Sequence, residues 1–395
     1  DSVTVRVRDT FGNPVPGVTV TFAPTGGGTA SPATAVTRAD GTARTAWTLG
    51  TTAGTQTLQA STAGAAPATA TATAVPRNRL QLVTQVNGTI LDADASRVLW
   101  WDLTPAGRQV FLRTLGGGDQ LVGTTEPGYF PDQGFLTPYG AVYGARPATS
   151  HSGIVYEWRG GAPAIIGYFS PEGTLRVAGT YAAWLENTTL RLRDLAANTL
   201  TTVATNAKPS IGLSPNGTVA YATGGPSPNT VQVYRNGTNT TAATTTSPTL
   251  LWHPLTDGVN LLYLRSSPFS NLHIALVLRT PSATDTVTVT DYVAPTYLLT
   301  NGWVAFSNNG GTYRRSPAGT IEQVSPWHSE LEALAPDGTL LFRINPTGSA
   351  WEQELAAPGS PVQPLGAGTS SDRGYFAGGS AYVISSGCRL YRVVP

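Results

Sequence analysis

The hydrophobic residues of this chain alternate with polar ones over short stretches, which is the period of a β-strand. Residues 2–9 read SVTVRVRD at the start of the chain. The alternation places Val3, Val5 and Val7 on one face of an extended strand, and residues 17–22 (GVTVTF) repeat it. No window shows the i, i+3, i+4, i+7 spacing of an amphipathic helix over three turns. Since 44 glycines and 30 prolines also interrupt the chain, the sequence predicts an all-β protein of short strands and tight turns.

Turn-forming motifs separate the strands at the beginning of the chain. Residues 7–22 read VRDTFGNPVPGVTVTF, and residues 37–49 read TRADGTARTAWTL. The GNP and DG elements within them suit tight turns. This stretch resembles the bacterial Ig-like domains of the invasin/intimin type, whose pattern is D-x-x-GNPVPGV-x-V-x-F followed by T-x-x-DG-x-A. The resemblance implies a β-sandwich over residues 1–75 that serves as a rigid spacer or an adhesive module.

The opening strand of this sandwich raises a question about pairing. Members of the family usually carry another strand before it, so the unit is short of about one edge strand. An uncovered edge at Val3, Val5 and Val7 would offer unpaired backbone groups to another strand, which makes it a candidate self-assembly edge. The other interpretation is that the sandwich tolerates the loss, or that the missing piece lies outside this sequence.

The rest of the chain, residues 79–395, repeats a unit of about 40 residues. Residues 213–221 (LSPNGTVAY) return as residues 334–342 (LAPDGTLLF), a turn that resembles those of TolB-like β-propellers. Each unit predicts four strands, but the last unit, 375–395, is one strand short. The strand at 79–86 can complete it, which is how propellers close their ring. We therefore expect an eight-bladed β-propeller, with seven blades as the alternative because two units are short.

The predicted domains are a sandwich at 1–75, a linker at 76–78 and a propeller at 79–395. The linker is only Pro-Arg-Asn, so we expect the two domains to hold a nearly fixed angle. A chain of 395 residues is long enough to build a separate core in each.

Charge and composition restrict the partners and the location. Charged residues make up 12% of the chain and the formal net charge is +1, so we expect no nucleic-acid partner. No run of 18 apolar residues occurs, so we expect no membrane insertion. The sequence contains no Met, and the simplest cause is removal of a signal peptide from an extracellular or cell-surface protein. The single cysteine, Cys388, excludes an intramolecular disulfide.

Candidate chemistry is sparse. The chain has no G-x-S-x-G motif, and no two of its four histidines stand at zinc-ligand spacing, which predicts no metal and no cofactor. Asp92 and Asp94 could bind calcium, but ending a strand and accepting turn amides is the favoured role. No pair of carboxylates has the spacing of an acid and its base. The histidines, which we expect in turns or on the surface, are His151, His253, His273 and His328.

Tryptophans fall about once in each repeat. Exposed rings of this kind stack on sugars, whereas buried rings fill the space between blades. Trp101, Trp158 and Trp303 are the candidates for glycan stacking.

Three functions from different classes remain open. The main prediction is an extracellular structural protein without catalysis, whose copies assemble head to tail into a surface filament. A stiff two-domain body, an incomplete sandwich edge and the lack of a visible anchor favour it. The first alternative is a secreted adhesin whose propeller recognises a glycan or a surface protein. The second alternative is a propeller lyase or hydrolase.

Overall fold

The computed structural model describes residues 2–50, 54–74, 80–170, 174–224, 228–246, 249–266, 273–290, 296–345, 351–368 and 373–394. The chain divides into two compact units, Asp1–Arg79 and Leu80–Pro395. Every regular element in the described ranges is a β-strand, which confirms the predicted all-β class. Among these residues there is no helix with the length and apolar character needed to cross a membrane. The predicted linker, 76–78, lies outside the described residues.

The first unit is a sandwich of two antiparallel sheets. One sheet has the order β1-β5-β3 and the other has the order β4-β2-β6-β7. Alternate side chains of each strand point inward, so that Val20 and Phe22 of one sheet meet Trp47 of the other in a buried core. The strands are β1 (Ser2–Arg6), β2 (Thr19–Pro24), β3 (Thr29–Ser31), β4 (Thr34–Val36), β5 (Thr42–Thr48), β6 (Gly54–Ser61) and β7 (Ala68–Ala74).

The predicted self-assembly edge lies on β1. Val3, Val5 and Val7 are partly buried against the sandwich core, so their side chains serve this domain's own packing. The backbone of β1 pairs with β5, and no other described strand pairs with it. The role of that edge in assembly stays a prediction.

Four-stranded antiparallel sheets build the second unit, and eight of them occur among the described residues. Sheet 1 contains β9 (Thr89–Ala93), β10 (Arg97–Thr104), β11 (Gly107–Thr114) and β12 (Asp119–Thr124); sheet 2 contains β13 (Tyr129–Thr137), β14 (Gly140–Pro147), β15 (Gly153–Trp158) and β16 (Ala164–Phe169). Sheet 3 contains β17 (Arg176–Ala178), β18 (Tyr181–Glu186), β19 (Thr189–Asp194) and β20 (Thr199–Ala204); sheet 4 contains β21 (Ile211–Leu213), β22 (Val219–Gly224), β23 (Pro228–Arg235) and β24 (Thr238–Thr244). Sheet 5 contains β25 (Leu250–Thr256), β26 (Leu261–Ser266), β27 (Ile274–Arg279) and β28 (Thr284–Thr290); sheet 6 contains β29 (Thr296–Thr300), β30 (Trp303–Asn308), β31 (Gly311–Arg315) and β32 (Ile321–Ser325). Sheet 7 contains β33 (Ser329–Leu334), β34 (Leu340–Ile344), β35 (Trp351–Ala356) and β36 (Gln363–Gly368); sheet 8 contains β37 (Arg373–Ala377), β38 (Ser380–Ser385), β39 (Arg389–Val393) and β8 (Leu80–Gln85).

The ring of sheets closes as the sequence predicts. The last strand of the chain, β39, pairs antiparallel with β8, so that Leu390 lies opposite Thr84. Sheet 8 then packs on sheet 1, where Leu390 and Tyr382 share a buried cluster with Trp100. The Arg373 guanidinium also donates a 2.7 Å hydrogen bond from sheet 8 to the carbonyl of Leu91 in sheet 1.

The repeated Pro-Asn-Gly and Pro-Asp-Gly turns have a double requirement for glycine. Gly217 and Gly338 adopt φ angles of 78° and 88°, which glycine tolerates best. An aromatic ring of the preceding sheet also lies flat against each glycine. A Cβ at Gly217 would stand 2.8 Å from Tyr181, and one at Gly338 would stand 2.6 Å from Trp303. The repeat therefore encodes both a turn and a contact between sheets.

Candidate active site on the inner strands

The first strands of the sheets line the centre of the propeller. First strands of neighbouring sheets contact one another around much of the ring, as β21 does with β25 and β25 with β29. Each sheet has four antiparallel strands, so the chain returns to the same end before it starts the next sheet. All first strands therefore run in the same direction. Residues near their beginnings converge on one end of the propeller, which we call the entry end.

Charged residues occur on most of these inner strands, and several of them are held by structural partners. Asp132 on β13 pairs with Arg146 at 2.6 Å. Glu332 on β33 pairs with Arg343 at 2.9 Å. Asp92 on β9 accepts a 2.6 Å hydrogen bond from the backbone N–H of Leu136 on β13. These groups fasten neighbouring strands and sheets together.

A cavity of about 370 Å³ opens at the entry end, and four sheets contribute to it. Sheet 3 supplies Arg176, sheet 4 is preceded by Ser210, sheet 5 supplies His253, and sheet 6 supplies Tyr297. No carboxylate belongs to the wall of described residues. The complete lining is Arg176, Ser210, Ile211, Trp252, His253, Leu255, Leu264, Thr296 and Tyr297.

Backbone strain singles out two residues of this wall. Ser210 has a φ of 113° and His253 a φ of 49°, values at which non-glycine residues cost of order 1–3 kcal/mol. Ser210 Oγ lies 3.4 Å from His253 Nδ1, so the two strained residues face each other. In the described ranges, the other non-glycine residues with positive φ are Asn187, Asn198, Asn236, Asn301 and Ser386. Most of those are asparagines, the residue type that tolerates this conformation.

Local structure fixes the imidazole of His253 in the cavity. The register of β25 against β26 shifts between Trp252 and Leu255, so His253 lies in a β-bulge, a device that redirects side chains. The Tyr297 hydroxyl donates a 2.5 Å hydrogen bond to the carbonyl of His253. The Trp252 ring packs edge-on against the imidazole at 4.9 Å between centroids.

The electrostatics of the cavity favour a neutral histidine beside a cation. The imidazole reaches solvent in the cavity, but the protein atoms around it disfavour its charged form and lower the pKa of His253 below 6.5. The charge of Arg176 lowers the pKa of His253 further. Burial lowers the pKa of Arg176 as well, but a guanidinium stays protonated at neutral pH. Near pH 7 the site therefore holds a neutral imidazole close to a protonated guanidinium.

The structure differs from several site predictions. His253 lies in the inner-strand cavity rather than in a surface turn. Trp158 is only 4% exposed, so the prediction that it stacks on sugars is wrong: a buried ring has no face for a ligand. Trp101 and Trp303 are half-buried, packed against Phe130 and Gly338 respectively, and their contact with glycans stays a prediction. Within the described residues, no group of three His, Cys, Asp or Glu side chains could hold a metal ion.

The sequence did not identify the cavity residues as a site, because they are distant along the chain and share no motif. Arg176, Ser210 and His253 come from three consecutive repeats. Arg176 and Ser210 lie at the start of the first strand of their repeats, and His253 lies in the middle of the first strand of its repeat. Aligning the repeats on that strand was the signal that could have brought them together.

Comparison with known proteins identifies the two folds. Residues 1–75 match the family of bacterial Ig-like domains (group 1), which is typical of surface proteins. No curated protein matches the chain. The chain is similar to the dipeptidyl peptidase 4 of Porphyromonas gingivalis, with a TM-score of 0.51 and 9% identity over 80% of this chain and 60% of the peptidase. It thus spans less than two thirds of that enzyme's length.

Two other solved structures show the same kind of likeness at lower similarity. The β-propeller domain of the trilobed protease from Pyrococcus furiosus has a TM-score of 0.45 and 11% identity, over 71% of this chain and 98% of that domain. An oligogalacturonate lyase in complex with manganese has a TM-score of 0.40 and 13% identity, over 80% of this chain and 90% of the lyase.

These comparisons confirm the predicted Ig-like domain followed by a propeller, and they correct the functional prediction. We expected a filament subunit without catalysis, on the view that this architecture contributes shape alone. That expectation is contradicted, because the propeller architecture recurs in a solved protein that is a dipeptidyl peptidase. At 9% and 13% identity the likeness shows the fold and no particular activity. The activity has to be argued from the cavity.

Proposed function

We propose that the propeller is an enzyme that acts outside the cell on a glycan bearing carboxylate groups. The observation that carries this proposal is the neutral imidazole of His253, held by a strained backbone beside Arg176 in an open cavity. Strained residues that meet in a cavity are typical of functional sites. The Ig-like unit supports an extracellular location, since its family is typical of surface proteins.

The residues suit a β-elimination. Arg176 would pair with the substrate carboxylate and neutralise its charge, which makes the neighbouring C–H more acidic. His253 would accept that proton as general base. The electron pair of the broken C–H bond would form a carbon–carbon double bond, and the glycosidic C–O bond would break. The departing oxygen keeps the bonding pair and takes a proton from water, and the hydroxide that remains takes the proton from His253 and restores the base. The products are an unsaturated acidic sugar and a free hydroxyl, with no oxidant or reductant.

The walls of the cavity suit a sugar ring. Trp252 and Tyr297 contribute aromatic surface to the cavity wall, and both pack against the cluster between sheets 5 and 6. Burial raises the pKa of Tyr297, so its hydroxyl stays protonated and keeps its hydrogen bond to the His253 carbonyl. Trp252 and Tyr297 would therefore contact the sugar ring, while the Tyr297 hydroxyl also holds the backbone of His253 in place.

The test is turnover of acidic polysaccharides by the full chain, followed by the ultraviolet absorbance of the unsaturated product. Polymers of galacturonate, glucuronate and mannuronate cover the substrate class. We expect H253Q to lower kcat by at least ~100-fold, the usual contribution of a general base. R176Q should raise KM and lower kcat, while H151Q, outside the cavity, should behave as wild type. Equal activity of H253Q and wild type, or no elimination on any polymer, would contradict the proposal.

A second candidate is hydrolysis of an ester through Ser210, favoured by the 3.4 Å approach of its Oγ to His253 Nδ1. Ser210 Oγ would attack the ester carbonyl while His253 takes the hydroxyl proton. The alcohol would then leave, and water would release the acyl group from the serine. S210A distinguishes the two reactions, because it should abolish ester hydrolysis and leave elimination within about threefold of wild type.

A further inference from the structure

A second cavity opens beside the first at the entry end of sheet 5. Its volume is about 390 Å³. Thr249 in its wall directly precedes β25, the strand that carries His253, and Arg265 lies near the end of β26. His273 precedes β27. The complete lining is Thr245, Thr249, Arg265, Ser266, His273, Ala275 and Val289, which we call the Arg265 groove.

Strand register places this groove along the seam between sheets 4 and 5. Arg265 pairs with Leu251 on β25 and with Ala275 on β27. Paired residues project from the same face of a sheet. Leu251 and Ala275 are buried in a cluster with Ala220 of sheet 4, so this face of sheet 5 is the one directed at sheet 4. The Arg265 groove is the open end of that seam.

The His253 cavity reaches the inner end of the same seam, and its wall of Trp252, Leu264 and Tyr297 belongs to the cluster between sheets 5 and 6. Ser210, which directly precedes the first strand of sheet 4, lies 3.4 Å from His253 of sheet 5. Leu251, the register partner of Arg265, is only two residues from His253 on β25. A chain lying along the seam would therefore pass from Arg176 and His253 outward to Arg265.

The charge of the groove selects an anion. Arg265 is exposed and forms no salt bridge with any residue that the structure describes. No Asp or Glu occurs in the described wall of the groove. In sheet 6, by contrast, Arg315 is neutralised by Asp285 at 2.9 Å. The hydroxyls of Thr245, Thr249 and Ser266 add hydrogen-bonding groups of the kind that sugar hydroxyls use.

We infer that the Arg265 groove is a second anion subsite, which binds a further acidic sugar of the same glycan chain whose reacting sugar occupies the His253 cavity. This inference rests on the proposed function of that cavity. Two linked subsites make the second contact intramolecular, so affinity rises once the ligand is long enough to reach both. The enzyme would then prefer acidic polymers to acidic dimers.

The experiment measures binding by calorimetry in the full chain carrying H253Q, the variant expected to slow turnover at least ~100-fold. The probes are dimers and hexamers of galacturonate, glucuronate and mannuronate. The hexamer that binds most tightly should bind at least ~10-fold better than its dimer, and R265Q should remove most of that advantage. R279Q is the matched control, because Arg279 is also exposed, also lacks a salt bridge among the described residues, and ends β27 at the opposite end of sheet 5. R279Q should keep the preference for the hexamer.

The outcomes separate this inference from the proposed function. If R265Q and R279Q bind the hexamer alike, the subsite is wrong even where turnover depends on His253. If R265Q alone weakens the hexamer while H253Q still turns over polymer, the subsite stands and the catalytic proposal fails. If no acidic oligomer binds the H253Q protein, both are overturned.

Discussion

The strained backbone at Ser210 can be tested by removing its side chain. At a φ of 113° a serine occupies a region that glycine enters freely. Releasing such strain recovers about 1–3 kcal/mol in S210G. Glycine also makes the unfolded chain more flexible, which costs about 0.5–1 kcal/mol. The exposed hydrogen bond between Ser210 Oγ and His253 Nδ1 is long, at 3.4 Å, so its removal costs little. We therefore expect S210G to raise the free energy of unfolding by about 0.5–2 kcal/mol.

Urea unfolding followed by tryptophan fluorescence measures this change. The matched control is N187G, because Asn187 has a φ of 59° and asparagine tolerates that conformation. The control should shift the free energy of unfolding by no more than about 0.5 kcal/mol. If S210G is no more stable than N187G, the backbone at Ser210 is not strained, and the argument that strain marks this cavity fails.

Three other predictions concern the fold and the site. Burial raises the pKa of Asp92 from 3.8 to about 6, so the protonated carboxyl stabilises the fold below about pH 4, and this contribution is lost as the pH rises through 6. Between about pH 4 and pH 7, D92N should therefore gain about 2 kcal/mol relative to wild type in unfolding titrations, and parallel pH profiles would contradict this. L390A, which removes a fully buried side chain next to the closing strand, should cost about 2–5 kcal/mol in urea unfolding, whereas L103A, at a position 64% exposed, should cost no more than about 0.5 kcal/mol. Turnover should fall on acidification only below about pH 6.5, because the lowered pKa of His253 keeps its base form available at neutral pH; a pH–rate profile that rises only above that value would contradict it.

The fold was accessible from the sequence because its signals are local and repeated. The turn at 213–221 and its copy at 334–342 mark equivalent positions in two sheets. The final unit lacks one strand, and the unused strand β8 supplies it. Alternation in SVTVRVRD placed Val3, Val5 and Val7 on one face, and the structure places them against the sandwich core. Each of these inferences depends on neighbours along the chain.

The site was not accessible in the same way, because it depends on contacts between sheets. Every side chain of β15 (GIVYEW) is buried, since a middle strand of a propeller sheet is covered on both faces. Period-two alternation therefore cannot show that Trp158 is inside. The position of His253 depends on a β-bulge and on a serine from the preceding sheet. The net charge of the whole chain is close to zero, so it gave no sign of the local charge in this cavity. The described wall of the cavity contains an arginine and no carboxylate.

The most direct measurement is a crystal structure of the H253Q chain with a bound acidic hexasaccharide. The account predicts one substrate carboxylate within hydrogen-bond distance of the Arg176 guanidinium, the adjacent C–H directed at residue 253, and the chain leading outward to Arg265. An oligosaccharide bound on the outer strands or on the Ig-like unit, with the entry-end cavity unoccupied, would contradict it.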